Sequence, residues 1–173
     1  MTRIERLKGK VDALYSARNP NRADWADWLY RNHIFIVTDN AGKLAERFGA
    51  QKDLAMAAAM LHDVADAVMP RESEHHEEES IKLAKCFLVE SGFSEDEIKI
   101  IVDDAIRFHG CHGVSLPQTV EGKVMSTADA LAHLQTEFYD FALRALQKNE
   151  AIEQIREWAL SKIERDFRKK IFF

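Results

Sequence analysis

At 173 residues, with 46% hydrophobic and 31% charged residues but only three prolines and seven glycines, the chain is long enough to bury one core and lacks the composition of a disordered or turn-rich β protein. Its net charge of −5 excludes a broad polyanion-binding face, so a nucleic acid duplex is not an expected partner, whereas a local basic patch still suits a small anion. It opens on polar residues without an apolar leader stretch, no run approaches the roughly 20 apolar residues of a membrane span, and Cys86 and Cys111 show no disulfide framework; the expectation is a cytoplasmic protein with free thiols and no membrane partner.

Every segment reads as helical, which predicts an all-α, single-domain helical bundle of seven or eight helices spanning 1–173. Thr2 caps a first amphipathic helix that ends before Asn19-Pro20-Asn21. A second helix is expected over 22–48, with Trp25, Leu29, Ile36, Val37, Leu44 and Phe48 at helical spacing, His33 on the same stripe and Gly49 as its stop. Residues 53–69 are apolar nearly all round until His62-Asp63, the pattern of a central buried helix. Ser73 is the expected cap of a fourth helix to about Glu90, whose acidic start suits the helix dipole, and Gly92 ends it. Ser94 and Glu97 form a capping box for a fifth, with Ile98, Ile101, Val102 and Ala105 sharing a face with His109. Further helices are expected over 121–134 and 136–147. The last, from Asn149, places Ile152, Ile155, Ala159, Ile163 and Phe167 on a face expected to dock on the bundle; its basic end also fits a membrane-surface or dimer-forming element, the packed helix being the reading adopted.

His62-Asp63 carries the first chemical signal, because an ionised carboxylate buried without a partner costs several kcal/mol and calls for a cation. Taken alone, the pair fits a buried His-Asp hydrogen bond as well as a metal ligand set, and a single histidine on an apolar stripe fits an ordinary core residue. The succession His33, His62-Asp63, His109 and Asp129, each expected on a different helix, is more specific. Asp129 stands among Val124, Met125, Ala128, Ala130 and Leu131, and it too requires a counter-charge.

NHIFIVTDNAGKLAERFG, AAAMLHDVADAV, AIRFHG and VMSTADALAHL resemble successive segments of the HD-domain superfamily of metal-dependent phosphohydrolases, over about 25–134, with the helices of about 136–173 packed on that core. The resemblance implies that His33, His62, Asp63 and Asp129 hold one metal, and that in relatives with a second ion the His-Asp carboxylate bridges to added histidines. HHEEESIKLAKCFL resembles the extra-histidine helix, with the spacing to Ser80 favouring His76 over a solvated His75, and His109 resembles the next ligand. His112 reads first as an exposed loop residue, the alternative being a local zinc site with His109 and Cys111. Asp66, one turn after His62-Asp63, is a catalytic candidate beside Asp63, orienting water or an imidazole, or else a surface acid.

The chain departs from the pattern at Ile36, where many relatives carry a basic residue, and at Val64-Ala65, where one subgroup has Ile-Gly. Arg22, Arg31, Arg71, Arg107 and Lys123 are available as a phosphate grip but read mostly as solvated charges. The implied cofactor is one or two divalent ions (Mn, Fe, Co, Ni, Zn or Mg), and the implied reaction is hydrolysis of a phosphate ester or anhydride of a small molecule, a nucleotide foremost. A di-iron oxygenase, a non-catalytic metal or nucleotide sensor, and a homodimer are the alternatives left open.

Overall fold

Thr2 and Glu5 close a capping box at the start of α1 (Arg3–Ser16), and Leu7, Val11 and Tyr15, four residues apart, form the one face it buries. The computed structural model describes residues 1–148 and 150–173, and among them it contains helices and no strand. The expected second helix begins four residues later than its periodicity suggested. α2 (Ala26–Leu29) runs through a π-helical turn, Tyr30–Ile34, into α3 (Phe35–Phe48). A π turn inserts one residue into the helix, and here His33 and Ile34 both lie buried within it. Beyond the turn the buried face is Val37, Thr38, Ala41, Gly42 and Ala45, rather than the larger Ile36 and Leu44, because small residues let α3 approach its neighbours closely. A Cβ on Gly42 would stand 3.2 Å from Met56 Sδ.

α4 (Lys52–Leu61) is the central helix, with Ala57, Ala58, Ala59, Met60 and Leu61 all buried. The helix expected to reach residue 69 stops at Leu61. Asp63 takes φ −120°, ψ 30°, and Val64–Ala67 forms a 3₁₀ turn. His62 keeps helical backbone angles as the last residue of the apolar rod, and Asp63 is the residue that leaves the screw. α5 (His76–Ser91) starts later than Ser73, whose Oγ accepts from the His75 N–H. α6 (Glu95–Ile98) carries the Ser94/Glu97 capping box and continues as a π-helical segment, Lys99–Ile106, toward His109. α7 (Val120–Gln135) lies against α3 and α4 and is buried along most of its length.

α8 (Phe138–Leu146) brings Phe141 flat against Trp28, with ring centroids 4.2 Å apart. The expected start of the last helix at Asn149 lies outside the described residues; α9 runs Ile152–Arg168. Its docking face differs from the expected stripe. Ile155 is buried, but Ile152, Ile163 and Phe167 are exposed, and Trp158, Lys162 and Asp166 turn inward instead. The apolar stripe lost because α7 presents buried polar groups, Asp129 and His133, that need polar partners more than α9 needs to cover three aliphatic or aromatic side chains. The last residues return over α7: Thr127 Oγ1 donates to the Lys170 carbonyl at 3.0 Å, the Phe172 N–H donates to the same hydroxyl at 3.1 Å, and Phe173 stacks on Phe48.

Candidate metal centre

The π turn of α2–α3, the C-terminal end of α4 and the middle of α7 meet at three side chains. His33, His62 and Asp129 each place a ligand-type atom within 4.8 Å of the others, and all three are buried. His62, Asp63 and His109 form a second such group, so the two share His62. The His33–His62 and His62–His109 ring centroids are 5.5 and 5.1 Å apart.

Backbone carbonyls set the imidazoles. His62 Nδ1 lies 2.8 Å from the Ala59 carbonyl and His109 Nδ1 lies 2.6 Å from that of Ile106. An oxygen acceptor requires Nδ1–H, which leaves each Nε2 with a lone pair. His62 Nε2 and Asp129 Oδ1 are buried and have no hydrogen-bond partner, as is also true of His33 Nδ1. His33 Nε2 stands 3.0 Å from Asp129 Oδ1. Buried acceptors left without donors are costly unless something cationic joins them, so this donor set fits a divalent ion held by His33, His62 and Asp129, with Asp63 and His109 adjoining.

The remaining expected residues are placed differently. His76 Nε2 lies 2.9 Å from Asp66 Oδ1 and belongs to neither group, while His75 is exposed beside Glu74 and Glu78. Asp66 is 0% exposed, not a surface acid. Arg71, read from sequence as a solvated charge, donates from Nη2 to Asp63 Oδ2 at 2.6 Å and to Asp66 Oδ2 at 2.5 Å. It sits where the buried Asp66 and the half-buried Asp63 carboxylates would otherwise repel. Cys111 Sγ lies 3.2 Å from Ser126 Oγ and joins neither group, so no zinc site forms with His109 and His112 among the described residues.

Burial would raise the Asp63 and Asp129 carboxyls, but the groups facing them prevail and hold both well below the usual range. Arg71 leads at Asp63; His133 and Lys170 lead at Asp129. Burial pushes His109 down to about 4 and His133 down to about 3, keeping both rings neutral.

Lys170, Asp166, Lys162 and His133 are parts of the site that no motif announced. Lys170 is 2% exposed; its Nζ donates to Asp129 Oδ2 and lies 3.6 Å from Asp166 Oδ1. Asp166 also accepts from the Tyr139 hydroxyl at 2.6 Å and lies 3.0 Å from His133 Nδ1. The His133 ring stacks on His33 with centroids 4.8 Å apart. His133 was within reach of sequence reasoning, since it follows Asp129 by four residues on one helix face. The α9 residues were not, because their polar face wins only in the folded bundle.

A cavity of about 410 Å³ opens onto these groups. Arg71, Arg107, Lys162, Arg165 and Lys170 line it together with the acids Asp63, Glu72, Glu77 and Asp129, and Trp25, Leu29, Phe138, Leu146 and Trp158 give it an apolar wall.

The profile of the HD domain matches residues 30–134, well over half of the chain. The chain belongs to the HD domain family. The HD domain match takes in His33, His62-Asp63, His109, Asp129 and His133 and stops before α8 and α9. Among solved structures, the fold is similar to that of a predicted HD superfamily hydrolase from an uncultured Thermotogales bacterium, with a TM-score of 0.51 and 24% identity over 75% of this chain and 71% of that chain. Comparison with curated proteins gives no match.

Proposed function

We propose that this HD domain protein is a metal-dependent phosphohydrolase acting on a small phosphate ester or anhydride, a nucleotide foremost. The observation that carries the reading is the buried His33, His62 and Asp129 trio, with unpartnered lone pairs beside a cavity bordered by cations. The neighbour named as a hydrolase in the same superfamily supports it by fold.

When bound, a divalent ion supplies Lewis acidity and makes hydroxide accessible near neutral pH. The chain's own residues do the rest. The Ala59 and Ile106 carbonyls fix the His62 and His109 tautomers, and Asp66 steadies His76 and Arg71. The Lys162 and Arg165 side of the border attracts an anionic substrate, and the Trp25, Phe138 and Trp158 wall gives a flat apolar group somewhere to lie. We favour one ion over two, because Arg71 already pairs with both Asp63 and Asp66, and His76 is turned to Asp66 rather than to Asp63. The same pairing weighs against a di-iron oxygenase.

The test is phosphate release from nucleotides and simple phosphate esters by protein reconstituted separately with Mn²⁺, Fe²⁺, Co²⁺ and Mg²⁺. His62→Gln and Asp63→Asn serve as controls, their folding checked by circular dichroism. Metal-dependent release by wild type alone is expected. No release across the panel from a protein that retains stoichiometric metal would overturn the reading.

A further inference from the structure

The residues that border the cavity differ in how well their charges are already matched. Arg71 is held by two carboxylates, Lys170 by Asp129 and Asp166, and Arg107 Nη1 lies 3.9 Å from Glu77 Oε1. Arg165 is the exception. Among the described residues no carboxylate lies within salt-bridge distance of it, and its buried Nε has no hydrogen-bond partner. Lys162, three residues earlier on α9, lies 3.4 Å from Asp166 Oδ2, a carboxylate already shared with Lys170, His133 and Tyr139. α9 and the residues just after it therefore bring three cations, Lys162, Arg165 and Lys170, against two buried acids, Asp166 of α9 and Asp129 of α7. A guanidinium kept partly buried without a partner is costly, and an arriving anion would relieve the cost.

We propose that α9 provides the anion grip of this cavity, with Lys162 and Arg165 binding the dianionic phosphate of a phosphomonoester whose flat apolar body rests on Trp25, Phe138 and Trp158. This rests on the phosphohydrolase reading and narrows its substrate to a terminal phosphate. The placement suits that chemistry. Lys162 Nζ is 3.3 Å from His133 Nδ1, whose Nε2 is 3.4 Å from Asp129 Oδ1, so one imidazole separates the grip from the candidate metal ligand. A planar guanidinium and an ammonium on one helical turn match the several oxygens of a phosphate. Neither residue falls within the matched HD domain, so the grip would be particular to chains with this C-terminal helix.

The test measures binding before turnover. Inorganic phosphate and phenyl phosphate are titrated into wild type, Arg165→Gln, Arg165→Lys and Lys162→Gln by calorimetry, each variant checked by thermal melt; KM and kcat for phenyl phosphate follow on metal-loaded protein. Arg165→Gln is the decisive variant, because Lys162 also supports Asp166. Expected results are phosphate affinity reduced about tenfold or more in Arg165→Gln at unchanged melting temperature, partial rescue in Arg165→Lys, and a rise in KM that exceeds any fall in kcat. Phenyl phosphate should bind more tightly than inorganic phosphate and quench tryptophan fluorescence. Saturable binding that depends on Arg165 in a protein that hydrolyses nothing would keep the grip and overturn the hydrolase reading. Hydrolysis with KM and phosphate affinity unchanged in Arg165→Gln would keep the hydrolase and overturn the grip.

Discussion

The buried ammonium of Lys170 donates to Asp129 Oδ2, which ties the last turn of the chain to a carboxylate in the centre of the HD domain core. With Oδ2 so held, Oδ1 is the oxygen left facing His33 and His62. Burial works against the Lys170 charge, yet Asp129 and Asp166 raise its pKa above the ordinary lysine value, so the ion pair persists at neutral pH.

Replacing Lys170 by Met, which keeps the apolar stem, leaves Asp129 and Asp166 without their shared cation. A loss of about 3–5 kcal/mol is expected from urea unfolding at neutral pH in the presence of a chelator. Mn²⁺ should restore more stability to the variant than it adds to wild type, because the added cation meets an unpaired carboxylate. A loss below about 1 kcal/mol would show that the pair contributes little to the fold.

Acid should weaken the metal-free protein well before the carboxylates titrate. Unfolded histidine titrates near 6.5, whereas burial moves His109 to about 4 and His133 to about 3 in the folded chain. Between those values the unfolded state binds more protons, so stability is present above pH ~6.5 and is lost as pH falls toward 4. Asp63, Asp129 and Asp166, whose folded pKa values are depressed, keep their contribution until pH falls below the usual carboxylate range. The expected observation is a lower melting temperature at pH 5 than at pH 7.5. An equal or higher one at pH 5 would count against neutral buried rings.

Arg71 should limit how many ions the centre accepts. Metal analysis of wild type after dialysis against Mn²⁺ is expected to give one ion per chain, and Arg71→Ala to approach two, since Asp63 and Asp66 lose the guanidinium between them. Two ions in wild type would overturn the one-ion reading.

The exposed stripe of α9 offers a plain test of which face docks. Ile163 and Phe167 are 41% and 67% exposed, so Ile163→Gln and Phe167→Gln should alter unfolding free energy by no more than about 0.5 kcal/mol. Ile155→Ala, at a site 2% exposed, should cost about 2–4 kcal/mol. Losses at Ile163 and Phe167 as large as that at Ile155 in denaturant melts would restore the docking face expected from periodicity.

What the sequence determined by itself was local or carried by an order of residue types. Helical periodicity, the Thr2 and Ser94 capping boxes and the left-handed glycines at 49 and 92 delimit helices through interactions a few residues long. The spacing of His33, His62-Asp63, His109 and Asp129 marked groups that the structure brings together in two overlapping trios. Tertiary structure decided the rest. Whether residues 62–69 stay helical, whether His76 faces Asp63 or Asp66, and whether Arg71 is solvated or clamped depend on which carboxylates end up side by side across the bundle. The orientation of α9 is the clearest case. Its strongest amphipathic signal points to Ile163 and Phe167, yet Lys162 and Asp166 turn inward, followed just past the helix by Lys170, because buried charges on α7 can be satisfied only by polar groups, while exposed apolar side chains forgo a smaller gain.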